Sequence, residues 1–219
     1  DVSADGLITA KATGTARLSI VNGGRQHDIT LVVQSVVTGT ATATSKEGAA
    51  VQDSDGNLLL VAPGAVAEGT QVSINAHDVN NLGMPLPAPD ILTALAAVDV
   101  QVGADRTIYP LQLAIKTSGI DPQTGQPIAA GTQVQFWRKG TILDTDGSTH
   151  DTWWLVDNGV IADDGMARTS SLPFTGVKGS GLMLITKSFA VNNAISTILT
   201  AGMSSWDAIW SSDANIAMQ

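Results

Sequence analysis

Residues 57–74 read NLLLVAPGAVAEGTQVSI, two apolar runs separated by a Pro-Gly pair and a Glu-Gly-Thr. Pro63 suits the end of an edge strand because it has no amide hydrogen to donate to a neighbour. Gly64 and Gly69 permit sharp reversals of the chain. Just upstream, Asp55-Gly56 is a preferred pair for a hairpin turn. The stretch therefore predicts short strands joined by tight turns, built from residues that serve the backbone and carry little reactive chemistry.

The composition extends this prediction to the whole chain. Its 219 residues are 43% hydrophobic and 14% charged, and they include 22 glycines. Such a chain can bury a core, and its abundance of small and β-branched residues with few charges favours strands over surface helices. We expect an all-β protein.

Charge and cysteine content exclude several function classes. A net charge of −9, with the 11 Lys and Arg residues scattered, argues against a nucleic-acid partner. The absence of cysteine excludes disulfides, thiolate metal sites and cysteine nucleophiles. The chain begins at Asp1 and has no apolar run near the roughly 20 residues that cross a bilayer. We expect a soluble protein without a membrane span, either trimmed from a secreted precursor or excised from a longer chain.

The N-terminal region predicts a small meander of three strands. The predicted strands are 7–10, 16–21 and 28–33, separated by Ala-Thr-Gly and Asn-Gly-Gly turn signals. Residues 5–34 have the sequence DGLITAKATGTARLSIVNGGRQHDITLVVQ. This sequence resembles the C-terminal half of group 2 bacterial immunoglobulin-like domains of the invasin and intimin type. That resemblance implies a sandwich whose first half is missing. Residues 38–48 follow as a Thr/Ala/Gly-rich polar interval, typical of a boundary between modules.

A second resemblance begins at the opening stretch. Val61-Ala62-Pro63-Gly64-Ala65 followed by Glu68-Gly69-Thr70 resembles the signature of ZU-type β-sandwich domains, which occur in ankyrins, netrin receptors and bacterial surface proteins. It continues through four later strand-like phrases, at residues 98–101, 109–115, 132–137 and 152–156. The predicted organisation is a partial immunoglobulin-like domain (1–37), a linker (38–47), a ZU-type sandwich (48–187) and a helical tail (188–219).

The ZU resemblance raises one candidate for chemistry. Some members cleave themselves before a Ser or Thr that follows His-Phe, and the corresponding phrase here is Leu172-Pro173-Phe174-Thr175. Thr175 supplies a hydroxyl, but Pro173 occupies the position of the activating histidine and cannot accept a proton. We favour an ordinary strand start and keep cleavage at Phe174-Thr175 as an alternative.

Metal sites have little support in the sequence. His27, His77 and His150 lie in separate turns or strand ends, without the spacing of a metal pair. Carboxylates stand two apart before a glycine at 53–56 and again at 144–147, yet neither loop has the closing acidic residue of a calcium loop. Hairpin turns are the favoured interpretation, and no cofactor is expected. The weak calcium candidates are Asp144, Asp146 and Asp151.

Paired aromatic residues suggest a carbohydrate platform as another alternative. Phe136-Trp137 and Trp153-Trp154 are adjacent pairs, so each pair on a strand sends one ring to either face of the sheet. Packing in the core is the favoured interpretation. If a sugar binds, Trp137 and Trp153 are the candidate residues.

In the C-terminal segment the spacing of apolar residues differs from that of the preceding strands. Apolar residues from Val191 to Trp210 recur at helical spacing with Gly202 between them, which predicts a bent helix or helical hairpin. The segment either docks on its own sandwich or contacts a neighbouring subunit. In the second case the contact residues are Trp206, Ile209 and Trp210.

Together these features predict a non-enzymatic structural or adhesive module of a bacterial cell-surface or extracellular protein. Three N-terminal strands cannot cover their own apolar residues, because a sandwich of this kind needs about seven. The segment therefore needs the neighbouring domains of a longer surface protein, a neighbouring subunit in a homo-oligomer or fibre, or its own sandwich. The N-terminal candidates for partner binding are Leu18, Ile20, Leu31 and Val33.

Overall fold

Thirteen β-strands make up the regular structure of the described residues, and the fold is all-β as the composition predicts. The computed structural model describes residues 2, 8–39, 41–103, 106–171 and 174–188. The predicted helical tail, with Trp206, Ile209 and Trp210, lies outside them. Within these ranges, no helix has the length and apolar character that crossing a membrane requires. The strands are β1 (Gly14–Asn22), β2 (Arg25–Val33), β3 (Val37–Thr38), β4 (Thr42–Ala43), β5 (Ala49–Gln52), β6 (Leu58–Val61), β7 (Gln71–His77), β8 (Leu92–Val102), β9 (Gln112–Lys116), β10 (Gln133–Leu143), β11 (Thr149–Ile161), β12 (Met166–Thr169) and β13 (Gly181–Ser188).

Strands β1 and β2 form a sheet of their own, a two-stranded antiparallel hairpin. Two of the three predicted N-terminal strands are thus confirmed, each slightly longer than predicted. The first predicted strand, at 7–10, differs: Ile8 makes an isolated bridge with Val2 and no strand of that segment is described.

The other eleven strands form one sheet, ordered β3-β5-β6-β9-β12-β11-β10-β13-β8-β7-β4. The sheet curls so far that it is nearly a barrel. Strand β5, near one edge of the sheet, contacts β7 and β4 at the opposite edge. Strands β6 and β7, and likewise β8 and β9, contact each other across the interior. We call this sheet with its loops, residues 37–188, the sandwich.

Two short strands, β3 and β4, lie at the predicted boundary at 38–47. Val37–Thr38 pairs in parallel with β5, and Thr42–Ala43 pairs with β7, so this interval supplies both edge strands of the sandwich. Backbone hydrogen bonds from Thr44 N to Thr70 O and from Gly69 N to Thr44 O fix it further. The polar composition suggested a linker, but threonine and alanine at a sheet edge need few apolar neighbours.

Two hydrophobic clusters hold the sandwich together. The larger fills the interior, with Phe136, Leu59 and Ile74 fully buried. The smaller lies on the outer face of the sheet, where the loop bearing Leu82 covers Trp153 and Leu184. The sandwich therefore covers its own apolar residues on the inside and on part of the outside.

Candidate functional site

The β1–β2 hairpin stands apart from both hydrophobic clusters and is the first candidate site. Its turn is Gly23-Gly24, with φ of 55° and 77°, the two positive values that a type I′ turn requires. This turn fixes the register, which pairs Leu18 with Ile29 and Ala16 with Leu31. Because side chains alternate along a strand, the register places Leu18, Ile20, Ile29 and Leu31 on one face, with His27, which we call the apolar face. The other face, which we call the polar face, carries Arg17, Ser19, Gln26 and Asp28, with Val21 and Val32.

The polar face satisfies its own hydrogen bonds. Asp28 accepts hydrogen bonds from the Gln26 amide at 2.9 Å and from the Ser19 hydroxyl at 2.5 Å. Arg17 Nη1 lies 3.7 Å from the other carboxylate oxygen. The hydrogen bonds from Gln26 and Ser19 hold the pKa of Asp28 below its ordinary value. This face is complete as a solvated surface.

The apolar face of the hairpin is not covered by the rest of the described chain. Ile20 is 49% exposed and Ile29 is 37% exposed, while Leu18, Leu31 and Val33 are half-buried. None of these residues belongs to a hydrophobic cluster of the described chain. The prediction that the hairpin cannot bury its own apolar residues therefore agrees with their exposure.

The hairpin also presents two long open edges. Each strand has nine residues, and within the described ranges each pairs only with the other. The edge strands of the sandwich, β3 and β4, have two residues each. Short edges discourage strand addition and long ones permit it. The hairpin is thus the part of the described chain that is open to strand addition.

The base of the hairpin does touch the sandwich. Val32, Gln34 and Val36 form one side of a cleft of about 230 Å³ whose other side includes Leu60 and Pro63. The Gln34 side-chain amide donates to the backbone carbonyl of Glu47. The hairpin is therefore anchored at its base, whereas its apolar face remains exposed.

The two tryptophans predicted as carbohydrate candidates share a face, but that face is covered. Trp153 is 8% exposed and its indole N–H donates to the Pro85 carbonyl at 2.8 Å. The Trp137 indole donates to the Thr186 hydroxyl at 2.9 Å. Both rings pack in the outer cluster beneath the loop that carries Leu82. Trp153 thus packs in a hydrophobic core, which was the favoured interpretation. Its ring is not exposed for stacking on a sugar.

The calcium candidates lie at and after the β10–β11 turn. Asp144 and Asp146 accept hydrogen bonds from the backbone N–H groups of Thr145 and Ser148, at 2.8 Å each. Asp151 lies on β11 and pairs with Lys139 at 3.0 Å. Each carboxylate therefore has a partner in the protein. In the described ranges no three His, Cys, Asp or Glu side chains are placed to hold a metal ion.

His77 is the histidine with a defined environment. Its Nδ1 lies 2.7 Å from Asp99 Oδ2 and its Nε2 lies 3.0 Å from the Asn81 carbonyl. When the imidazole ring is charged, both of its nitrogens carry a hydrogen and donate, one to Asp99 and the other to the Asn81 carbonyl. The Asn81 carbonyl and then the Asp99 carboxylate raise the pKa of His77 above its ordinary value. This arrangement ties the end of β7 to β8 and to the following loop.

Two buried carboxylates were not predicted from the sequence. Asp121 pairs with Lys187 at 2.8 Å, and Asp157 is fully buried on β11, where it contacts Ser171. The signal available in the sequence was the aspartate that directly follows the apolar run Trp153-Trp154-Leu155-Val156 within β11. Thr175, the nucleophile of the alternative cleavage reaction, is exposed, and Pro173 lies outside the described residues.

Comparison of the chain with protein-family models, with curated proteins and with solved structures found no match. The two family resemblances in the sequence therefore stay predictions.

Proposed function

We propose that this chain is a structural or adhesive module of a bacterial cell-surface protein, and that the hairpin joins it to a neighbouring chain or domain. The observation that carries the proposal is the uncovered apolar face of two nine-residue strands beside a sandwich that covers its own core. The surface location is supported by the two sequence resemblances.

The hairpin has the features of a strand-addition surface. An added strand would gain main-chain hydrogen bonds along an open edge and would widen the apolar face that carries Leu18 and Ile20. The polar face, held together around Asp28, stays in solvent and limits packing to one side. The surface therefore suits a partner that presents an extended strand with apolar residues at alternate positions.

The test compares two charge substitutions on the same strand. Leu18→Lys lies on the apolar face and Thr15→Lys on the polar face, so they share strand and charge but not orientation. Light scattering and negative-stain microscopy would measure association of the purified chain. We expect the wild type and Thr15→Lys to associate and Leu18→Lys to remain monomeric, with the melting temperature of the sandwich unchanged.

Hydrogen exchange adds a second measurement. In the monomer we expect rapid exchange at residues 16–20 and 29–33, because a two-stranded sheet without cover is marginally stable in water. Slowed exchange at these amides in the assembly would locate the contact. Strong protection in a monomeric sample, with no association at any concentration, would overturn the proposal.

A further inference from the structure

Ser171 has a backbone conformation that serine seldom adopts. Among the described residues it is the non-glycine residue with a positive φ, at 61°. At this φ the Cβ lies gauche to the carbonyl carbon of Ser170, whereas at helical φ it lies anti. This brings the Ser171 Cβ, which carries the hydroxyl, closer to the Ser170 carbonyl carbon than it would be at helical φ. Such conformations cost about 1–3 kcal/mol and persist where the surroundings hold them.

The Asp157 carboxylate holds Ser171 in this conformation through two hydrogen bonds. Asp157 Oδ2 accepts from the Ser171 hydroxyl at 3.1 Å, and Oδ1 accepts from the Ser171 backbone N–H at 2.8 Å. One side chain thus contacts both the hydroxyl and the amide nitrogen of the same residue. Asp157 is 0% exposed, and this burial raises its pKa above the ordinary value although the hydrogen bonds act to lower it. A carboxylate in this state is a stronger base than one in water.

Neighbouring groups restrain the same peptide bond from both sides. Ser170 donates from its backbone N–H, at 2.9 Å, and from its hydroxyl, at 3.3 Å, to the Asn158 carbonyl. On the other side, a Cβ at Gly176 would lie 3.2 Å from the Ser171 hydroxyl oxygen and 2.4 Å from Pro110 Cβ. Glycine at 176 therefore leaves the space that Ser171 and Pro110 occupy. Ser170 is thus hydrogen-bonded to Asn158 and Ser171 to Asp157, on the two sides of the bond between them.

We propose that the protein rearranges and cleaves its own Ser170–Ser171 peptide bond, with the Ser171 hydroxyl as nucleophile and Asp157 as base. The hydroxyl oxygen attacks the Ser170 carbonyl carbon while its proton passes to Asp157. The carbon–nitrogen bond then breaks, and Asp157 returns the proton to the departing nitrogen. The products of this step are an ester between Ser170 and the Ser171 oxygen and a free amino group on Ser171. Water hydrolyses the ester, leaving a carboxylate on Ser170 and restoring the hydroxyl.

This reaction differs from cleavage at Phe174-Thr175 in bond, nucleophile and base. It is also separate from the proposed role of the hairpin, since each can fail without the other. After cleavage, β13 would remain paired with β8 and β10. The two fragments, residues 1–170 and 171–219, would therefore stay together under native conditions and separate only when denatured.

The experiment is intact-mass measurement of the full chain under denaturing conditions, during incubation at neutral pH with and without hydroxylamine. Hydroxylamine cleaves an ester to a hydroxamate. It also cleaves Asn-Gly bonds, of which this chain has two, Asn22-Gly23 and Asn158-Gly159, so fragments that end at those asparagines are not counted. We expect fragments that end at Ser170 and begin at Ser171, formed faster with hydroxylamine. Asp157→Asn should slow their formation about 100-fold or more.

Ser171→Gly is the decisive variant, because glycine adopts a positive φ without strain and the substitution removes the side chain that carries the hydroxyl. We expect it to fold and to remain uncleaved, whereas Ser171→Cys should still cleave through a thioester. Thr175→Ala is a matched hydroxyl deletion that should leave cleavage in place. A single species near 22.5 kDa after prolonged treatment with hydroxylamine would overturn the proposal. So would cleavage at another bond in the absence of hydroxylamine, or cleavage after Ser170 that persists in Ser171→Gly.

Discussion

Lys187 Nζ lies 2.8 Å from Asp121 Oδ2, and the two side chains are only 9% and 10% exposed. Asp121 also accepts from the Gln123 backbone N–H at 3.0 Å and from the Thr124 hydroxyl at 2.9 Å. Burial acts to raise the pKa of Asp121, but the hydrogen bonds from Lys187, Gln123 and Thr124 outweigh it, and the pKa lies below its ordinary value. The pair fastens the loop after β9 to the last described strand.

Removing one charge of the Asp121–Lys187 ion pair should destabilise the protein. Asp121→Asn leaves the Lys187 ammonium buried without its counter-charge, and we expect a loss of about 3–5 kcal/mol in the free energy of unfolding. The double variant Asp121→Leu/Lys187→Met removes both charges and should lose less than Asp121→Asn alone. Urea denaturation measures both. A double variant as unstable as the sum of the single ones would show that the two charges do not interact.

His77 should make stability depend on pH near neutrality. The folded state holds its proton more tightly than the unfolded state does, because charged His77 donates to both Asn81 and Asp99. The resulting stabilisation is complete below the unfolded pKa of 6.5 and is lost as pH rises through the raised folded value.

The measurement is the difference in unfolding free energy between the wild type and His77→Gln, which cannot titrate. We expect this difference to favour the wild type most at about pH 5.5 and to shrink by about pH 8.5. Asp78 and Asp99 are the acidic groups that favour the charged ring. A difference that is constant over this range, or that grows with pH, would contradict the assignment.

Gly48 should tolerate no side chain. Its φ is +90°, and a Cβ there would lie 2.0 Å from the Val61 carbonyl oxygen. Gly131 is a matched control, with φ of +82° and no atom within 4 Å of the added Cβ. We expect Gly131→Ala to cost about 1 kcal/mol from backbone strain and Gly48→Ala a further ~1–3 kcal/mol from the clash. Equal losses in urea denaturation would mean that Gly48 does not lie against the Val61 carbonyl.

Trp153 should behave as a core residue and not as a sugar platform. Trp153→Phe removes the donor to the Pro85 carbonyl, which lies 2.8 Å from the indole nitrogen. We expect a loss of about 1–3 kcal/mol in the free energy of unfolding. In the wild type, titration with cell-wall and host sugars should leave the tryptophan emission unchanged. A saturable response that Trp153→Phe abolishes would contradict this placement.

Calcium should have little effect on stability. Asp146 accepts from the Ser148 backbone N–H and Asp151 pairs with Lys139, so both carboxylates already have partners. The melting temperature is expected to be the same in millimolar calcium and in chelator, because a ligand stabilises only the state that binds it. A rise of many degrees with calcium would reveal a site at the β10–β11 turn.

Turns and strand alternation could be predicted from the sequence because both are local. Gly23-Gly24 and Asp55-Gly56 were predicted as hairpin turns, and both join antiparallel strands. The alternation at Trp153-Trp154 correctly predicted that the two rings lie on opposite faces, with Trp153 in the outer cluster. The pairing of β3 with β5 and of β4 with β7 could not be predicted, because it depends on partners elsewhere in the chain.

The sequence by itself determined the all-β class, the positions of the tight turns and the excess of apolar residues in the hairpin. These properties follow from the φ range of glycine, from side-chain alternation and from the sizes of neighbouring side chains. Only the tertiary structure decided the strand order, the burial of Trp153 beneath a distant loop, and the contacts of Asp157 with Ser171 and of Asp121 with Lys187. Each of these joins residues far apart in the chain, and burial then determines which of the resulting contacts are strong, because a low dielectric strengthens a satisfied polar pair.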